Sequence, residues 1–133
     1  MPKRQKLKAR VPTPAEFRLL EVLWHLKEGT VEDILQAWGE EPPNYKTTQT
    51  LLRIMEAKNL ISHRLRGRAF VFTPKVEKDH VSRLSIESFL DRYFRGSRLA
   101  LLLNLLDDEQ IEDAELRELE DTIRRYRKAR ETH

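Results

Sequence analysis

Cysteine is absent from all 133 residues, which excludes disulfides, thiol catalysis and cysteine-based zinc or copper sites. Histidine is scarce: His25, His63, His80 and His133 stand apart, with no pair at metal-ligand spacing, so no metal site is expected. The chain also lacks a glycine-rich phosphate loop, a Ser-His-Asp grouping, and paired carboxylates outside evidently exposed helix faces. No catalytic residue, enzymatic activity or cofactor is therefore expected. Long apolar runs are missing too. The longest, Leu99 to Leu103 followed by Leu105 and Leu106, is too short to span a bilayer. The charged N-terminus is followed by no apolar stretch of the signal-peptide kind, so a cytoplasmic protein without membrane insertion is expected.

What is present is charge. Asp, Glu, Lys and Arg make up 35% of the chain and apolar residues 39%, a balance that suits a small core with long amphipathic helices better than a buried enzyme fold. The charge is unevenly spread. Residues 1–74 carry 13 Lys and Arg against 8 acids, and residues 75–133 carry 12 against 14. A basic front half points to a polyanionic partner for that half.

Residues 1–11 hold five Lys and Arg and no acid and read as a disordered arm, either solubilising or touching DNA. A first helix opens at Thr13, with Pro14 at its first position and Glu16 completing a Thr-x-x-Glu capping box. Phe17, Leu20, Leu23, Trp24 and Leu26 give its apolar face, and Gly29 is expected to stop it. Thr30 caps a short second helix with Val31, Ile34, Leu35 and Trp38 on one side, Trp38 reading as core. Pro42-Pro43 forces a loop. A third helix runs from about Tyr45 to Asn59, polar at first (Lys46, Thr47, Thr48, Gln49, Thr50) and then apolar on one side (Leu51, Leu52, Ile54, Met55). Three threonines in opening turns are poor helix formers, so stability does not explain them.

After Leu60 the period changes. Ile61–Leu65 and Ala69–Phe72 are β-prone runs around Arg66-Gly67-Arg68, a hairpin with its turn near Gly67 and its end at Pro74. Residues 76–95 form a helix with Val81, Leu84, Phe89, Leu90, Tyr93 and Phe94, closed by Gly96. Ser97 caps a very apolar helix to Leu106. After Asp107-Asp108-Glu109 a last helix begins near Asp113, with Leu116, Leu119, Ile123 and Tyr126 at 3-4-3 spacing, and pairs Glu120/Arg124 and Asp121/Arg125 on its other faces.

The fold expected is mainly α with a small β-hairpin: a winged helix-turn-helix over residues 12–74, then a helical dimerisation arm over residues 75–133. A helix with a polar opening suits the major groove, where hydroxyls and an amide bond to base edges and a threonine methyl packs on a thymine methyl. Residues 46–74 hold six Lys and Arg (Lys46, Arg53, Lys58, Arg64, Arg66, Arg68) and one acid, Glu56. Arg66 and Arg68 flank the wing turn, in reach of phosphates or the minor groove. Tyr45, Lys46, Thr47, Gln49, Thr50, Arg53, Arg66 and Arg68 are thus the candidate DNA contacts. His63 points to DNA, to solvent, or into a structural role. The last three helices carry more apolar surface than a monomer tolerates. Pairing with a second copy through Phe89, Leu90, Tyr93, Leu102, Leu116, Leu119, Ile123 and Tyr126 would bury it; folding back on their own winged domain is the alternative.

Five blocks in order resemble the penicillinase repressor family of BlaI/MecI-type regulators. They are Pro14-Ala15-Glu16 with Val22-Leu23-Trp24; Lys46-Thr47-x-x-Thr50-Leu51-Leu52-Arg53; Gly67 to Pro74; Phe89-Leu90-Asp91-Arg92-Tyr93-Phe94-x-Gly96; and Leu103-Asn104-Leu105-Leu106. The resemblance spans nearly everything from Pro12 to Arg130. It implies a homodimeric repressor on a palindromic double-stranded operator, with Lys46, Thr47 and Thr50 as contacts. The family often has arginine where this chain has Gln49; glutamine favours adenine where arginine favours guanine. In the best-known members a membrane sensor peptidase triggers cleavage after an asparagine in the short apolar helix. The matching bond here is Asn104–Leu105, though those members carry phenylalanine after the asparagine. A copper-responsive branch uses C-terminal cysteines, which this chain lacks. Two other functions fit the pattern: a winged-helix repressor sensing a small ligand beside Leu99–Leu106, and a winged helix used only for protein–protein contact.

Overall fold

Two capping boxes start the first two helices. The computed structural model describes residues 11–107 and 109–132; all of the expected N-terminal arm but Val11, and Asp108 of the acidic loop, lie outside them. Helix α1 spans Pro14–Leu26, where Thr13 Oγ1 accepts the Glu16 N–H at 3.2 Å and Glu16 Oε1 accepts the Thr13 N–H at 2.9 Å. Helix α2 spans Val31–Ala37 and repeats the device with Thr30 and Asp33 at 3.1 and 3.0 Å. Each box satisfies two backbone donors that a helix start leaves unpaired. Trp38 lies one residue beyond α2, half-buried against the core, with the Arg18 guanidinium 5.0 Å from its ring.

The end of α1 departs from expectation. Lys27, not Gly29, takes the positive φ (75°), and its N–H bonds Leu23 O. Gly29 instead exchanges two backbone bonds with Phe72, at 3.0 and 2.8 Å. A Cβ at Gly29 would meet Asp33 Cβ at 3.1 Å and Leu26 Cδ1 at 3.3 Å, so close packing accounts for glycine there. The buried face of α1 is also displaced from the expected one. Glu16, Leu19, Leu20, Val22 and Leu23 are buried, while Phe17, Trp24 and Leu26 are half-buried at its edge.

Helix α3, Tyr45–Ala57, is capped by Asn44, whose Oδ1 accepts the Thr47 N–H at 2.7 Å. It stops two residues before the expected Asn59, because Asn59 turns left-handed (φ 65°). Strands β1 (Ile61–Arg66) and β2 (Ala69–Pro74) pair antiparallel in the register Ile61↔Pro74 to Arg66↔Ala69. Pairing continues past Pro74, since the Lys75 N–H bonds Leu60 O at 2.9 Å. Gly67 occupies the first of two turn positions with φ 65°, while Arg68 has no positive φ, the pattern of a type II′ hairpin turn. Leu19, Leu20, Leu23, Ile34, Leu52, Met55, Leu60 and Ile61 are almost fully enclosed and Phe72 of β2 is buried with them, so all five elements meet in one core.

Helix α4 spans Lys78–Phe94. It starts after Val76 rather than at 76, because Val76 packs on the core and its carbonyl accepts the Trp24 Nε1–H at 2.8 Å. Helix α5 is Arg98–Leu106, capped by Ser97, and α6 is Asp113–Glu131. Neither contains a buried residue. The pairs expected on α6 are rearranged: Arg124 reaches Asp121 at 3.5 Å, Arg125 bonds Thr122 Oγ1, and Arg117 pairs with Asp113 at 3.0 Å. Exposed i,i+3 and i,i+4 partners differ by only tenths of a kcal/mol (~0.3–0.5 each), so the choice among them is weakly enforced. Among the described residues no helix is long and apolar enough to cross a membrane.

Candidate nucleic-acid interface

The opening of α3 spends one threonine on structure. Thr48 is fully buried, and its hydroxyl donates to Asn44 O at 2.9 Å. Its neighbours Tyr45, Lys46, Thr47, Gln49 and Thr50 are all exposed. The Thr50 hydroxyl donates to Lys46 O at 3.1 Å, leaving its methyl and oxygen lone pairs outward. The side chains of Lys46, Thr47 and Gln49 bond to no described residue. These are donors and acceptors held in water on the first two turns of a helix, where a macromolecular surface can take them up without breaking anything.

Beside α3 lies a groove of about 710 Å³, walled by Tyr45, Gln49 and Arg53 on the helix and by His63, Arg68 and Phe70 on the hairpin. Tyr45, Gln49 and Arg53 fall at i, i+4, i+8 and so form one stripe, with Lys46 and Thr50 on the adjacent one. His63 braces the two walls. Its Nδ1 lies 2.6 Å from Glu56 Oε1 of α3, and its ring lies 4.7 Å from that of Phe70. His63 thus links the hairpin to α3 while lining the groove.

The six cations of residues 46–74 divide into two sets. Lys58 is held by Glu16, its ammonium 2.8 and 3.1 Å from the two oxygens of a carboxylate only 2% exposed. Arg64 and Arg66 share Glu28 Oε2, at 2.6 and 3.2 Å, in an exposed cluster. Lys46, Arg53 and Arg68 have no carboxylate partner among the described residues. The candidate contacts therefore gather on α3 and the turn, except Arg66, which is tied to Glu28. Sequence reasoning missed Glu16, Glu28 and Glu56 as charge partners. Glu16 was legible only as a cap, and nothing local marks partners 42, 36 or 38 residues away.

Of the residues expected at a dimer contact, Leu90 is already buried within the single chain (3% exposed) and Leu116 is half-buried. Phe89, Tyr93, Leu102, Leu119, Ile123 and Tyr126 are exposed. Leu99, Leu103, Leu105 and Leu106 of α5 join them, so the surface left open by α4 to α6 is broad and apolar. Asn104 is exposed within α5, and its amide bonds to no described residue.

Residues 12–125 match the sequence family described as penicillinase repressor. A penicillinase repressor of Bacillus licheniformis is 31% identical over 106 residues, covering 79% of this chain and 83% of that protein. A penicillinase repressor of Staphylococcus aureus is 22% identical, covering 82% and 87%. The methicillin resistance regulatory protein MecI of Staphylococcus aureus strain N315 is 21% identical, covering 82% and 89%.

Proposed function

The chain belongs to the penicillinase repressor family, and on that premise we propose that it represses transcription as a homodimer bound to a palindromic DNA operator. The observation that carries the reading is the opening of α3, where Lys46, Thr47, Gln49 and Thr50 stand exposed, three of them with unbonded side chains, above a fully enclosed core. In the major groove these side chains reach base edges, with Gln49 suited to bidentate pairing with adenine. Tyr45, Arg53 and Arg68 line the neighbouring groove and meet the sugar–phosphate backbone, which sets register without reading sequence. Residues 12–74 form the DNA-binding part and residues 75–133 the dimerisation part. The exposed leucines of α5 and the Leu119, Ile123, Tyr126 stripe of α6 are the surface a second copy covers. A symmetric dimer presents two α3 helices about one DNA turn (~34 Å) apart, hence an operator with two-fold symmetry.

Relief of repression by cleavage at Asn104–Leu105, triggered by a membrane sensor peptidase, is the mode of control proposed with it. An asparagine in an apolar helix without a bonded amide is the supporting feature. Losing α6 would lower the dimer population and release DNA by mass action. The test of the DNA reading is selection of duplexes from a random pool, followed by affinity measurements over a range of salt. A two-fold symmetric sequence and a steep salt dependence are expected. Absence of binding to any duplex would leave the protein–protein reading of the winged helix in its place.

A further inference from the structure

Glu28 holds two arginines of the wing. It follows α1 and precedes Gly29, whose two backbone bonds to Phe72 mount this connection directly on β2. From there a single carboxylate oxygen accepts from Arg64 at 2.6 Å and Arg66 at 3.2 Å. The two arginines are two residues apart in β1 and so share one face of the hairpin. Arg68 lines the groove on the α3 side instead. A ribbon whose tip lies in a minor groove about 6 Å wide has a phosphate strand on each side of it. Arg68 then serves one strand, and the Arg64/Arg66 face is turned to the other with one of its two positive charges offset by Glu28.

We infer, resting on the DNA-binding reading above, that Glu28 is a specificity-determining residue: a tethered competitor for phosphate that keeps half of the wing's grip conditional on exact docking. A carboxylate and a phosphate offer a guanidinium the same charge-assisted bonds. Glu28 loses no translational or rotational freedom in forming its bonds, because it belongs to the same chain. A phosphate displaces it only when the duplex is held in register by base contacts from α3. On non-operator DNA, where the protein slides and no register is held, the exchange is not driven, and Arg64 and Arg66 stay with Glu28. The non-operator complex therefore neutralises fewer phosphates than the operator complex.

The experiment is a cycle of Glu28→Gln with the pair Arg64→Ala and Arg66→Ala, read by fluorescence anisotropy on a random-sequence duplex and on a pool-selected duplex from 50 to 300 mM salt, about the range where such contacts are resolved. Glu28→Gln should bind the random duplex about 2- to 30-fold tighter, the span for releasing two exposed ion pairs. Its slope of log K against log salt should steepen by about 1 to 2, one extra phosphate contributing ~0.9. Affinity for the selected duplex should rise less, so the ratio between the two falls. The arginine pair substituted alone should cost more affinity on the selected duplex than on the random one, and placed in the Glu28→Gln background it should abolish the gain. Equal slopes and affinities for wild type and Glu28→Gln would overturn this inference alone. Failure of both chains to bind either duplex would overturn the DNA reading and this inference with it.

Discussion

Replacing Lys58 by methionine tests how the C-terminal end of α3 is fastened to the start of α1. The substitution keeps the aliphatic stem and deletes the ammonium that lies 2.8 and 3.1 Å from the Glu16 oxygens. Glu16, 2% exposed, is then left with a negative charge and one backbone donor, the Thr13 N–H at 2.9 Å. Breaking a fully buried pair from one side costs about 3–5 kcal/mol. Here the Lys58 side chain keeps 28% of its exposure, so water reaches the vacated position and the expected loss is lower, about 2–3 kcal/mol. Adding Glu16→Gln removes the stranded charge while an amide oxygen still accepts the Thr13 N–H, and the double variant should fall within about 1 kcal/mol of wild type. The assay is urea unfolding followed by circular dichroism at one fixed protomer concentration, since the stability of the proposed dimer depends on it. A Lys58→Met variant as stable as wild type, or a double variant no more stable than the single, would refute the argument that a buried carboxylate is at stake.

Three further outcomes are expected. Gln49→Ala should cost ~1–3 kcal/mol on the selected operator and relax preference at one base position, whereas Arg68→Ala should weaken all duplexes alike and flatten the salt slope; identical behaviour of the two across operator variants would contradict the division between base and phosphate contacts. Leu119→Asp with Ile123→Asp puts two carboxylates on the exposed apolar stripe of α6, so sedimentation should report monomers; a double variant that still sediments as a dimer would move the interface toward Phe89 and Tyr93. Mass spectrometry of the protein from induced cells should find fragments ending at Asn104, and intact protein alongside a derepressed target would exclude cleavage as the switch.

The local architecture was legible because its signals act over three or four residues. Thr13 with Glu16 and Thr30 with Asp33 announce two helix starts, and both capping boxes form. Ser97 caps α5 as read. The alternation on either side of Gly67 marks a hairpin because a residue at φ 65° suits glycine and the strand period is two. The polar opening of α3 was readable for the same reason: helical spacing separates an outward Lys46, Thr47, Gln49 and Thr50 from an inward Leu52 and Met55, although Ile54, also expected on the apolar side, is 42% exposed. The sequence by itself therefore determined the order and type of the elements, and which helix presents unbonded polar groups.

Tertiary structure decided where the charges go. Counting Lys and Arg over residues 46–74 treats six cations as one reservoir, yet Lys58 is spent on Glu16 across 42 residues, and Arg64 and Arg66 on Glu28 across 36 and 38. It also decided that Gly29 serves as a bridge to Phe72 and not as the stop of α1. Periodicity cannot report such pairings, because composition and spacing are the same whether a carboxylate faces water or a guanidinium. Only the closing of the hairpin onto the α1–α2 connection brings Glu28 within 2.6 Å of Arg64, and that closure depends on the whole core packing at once.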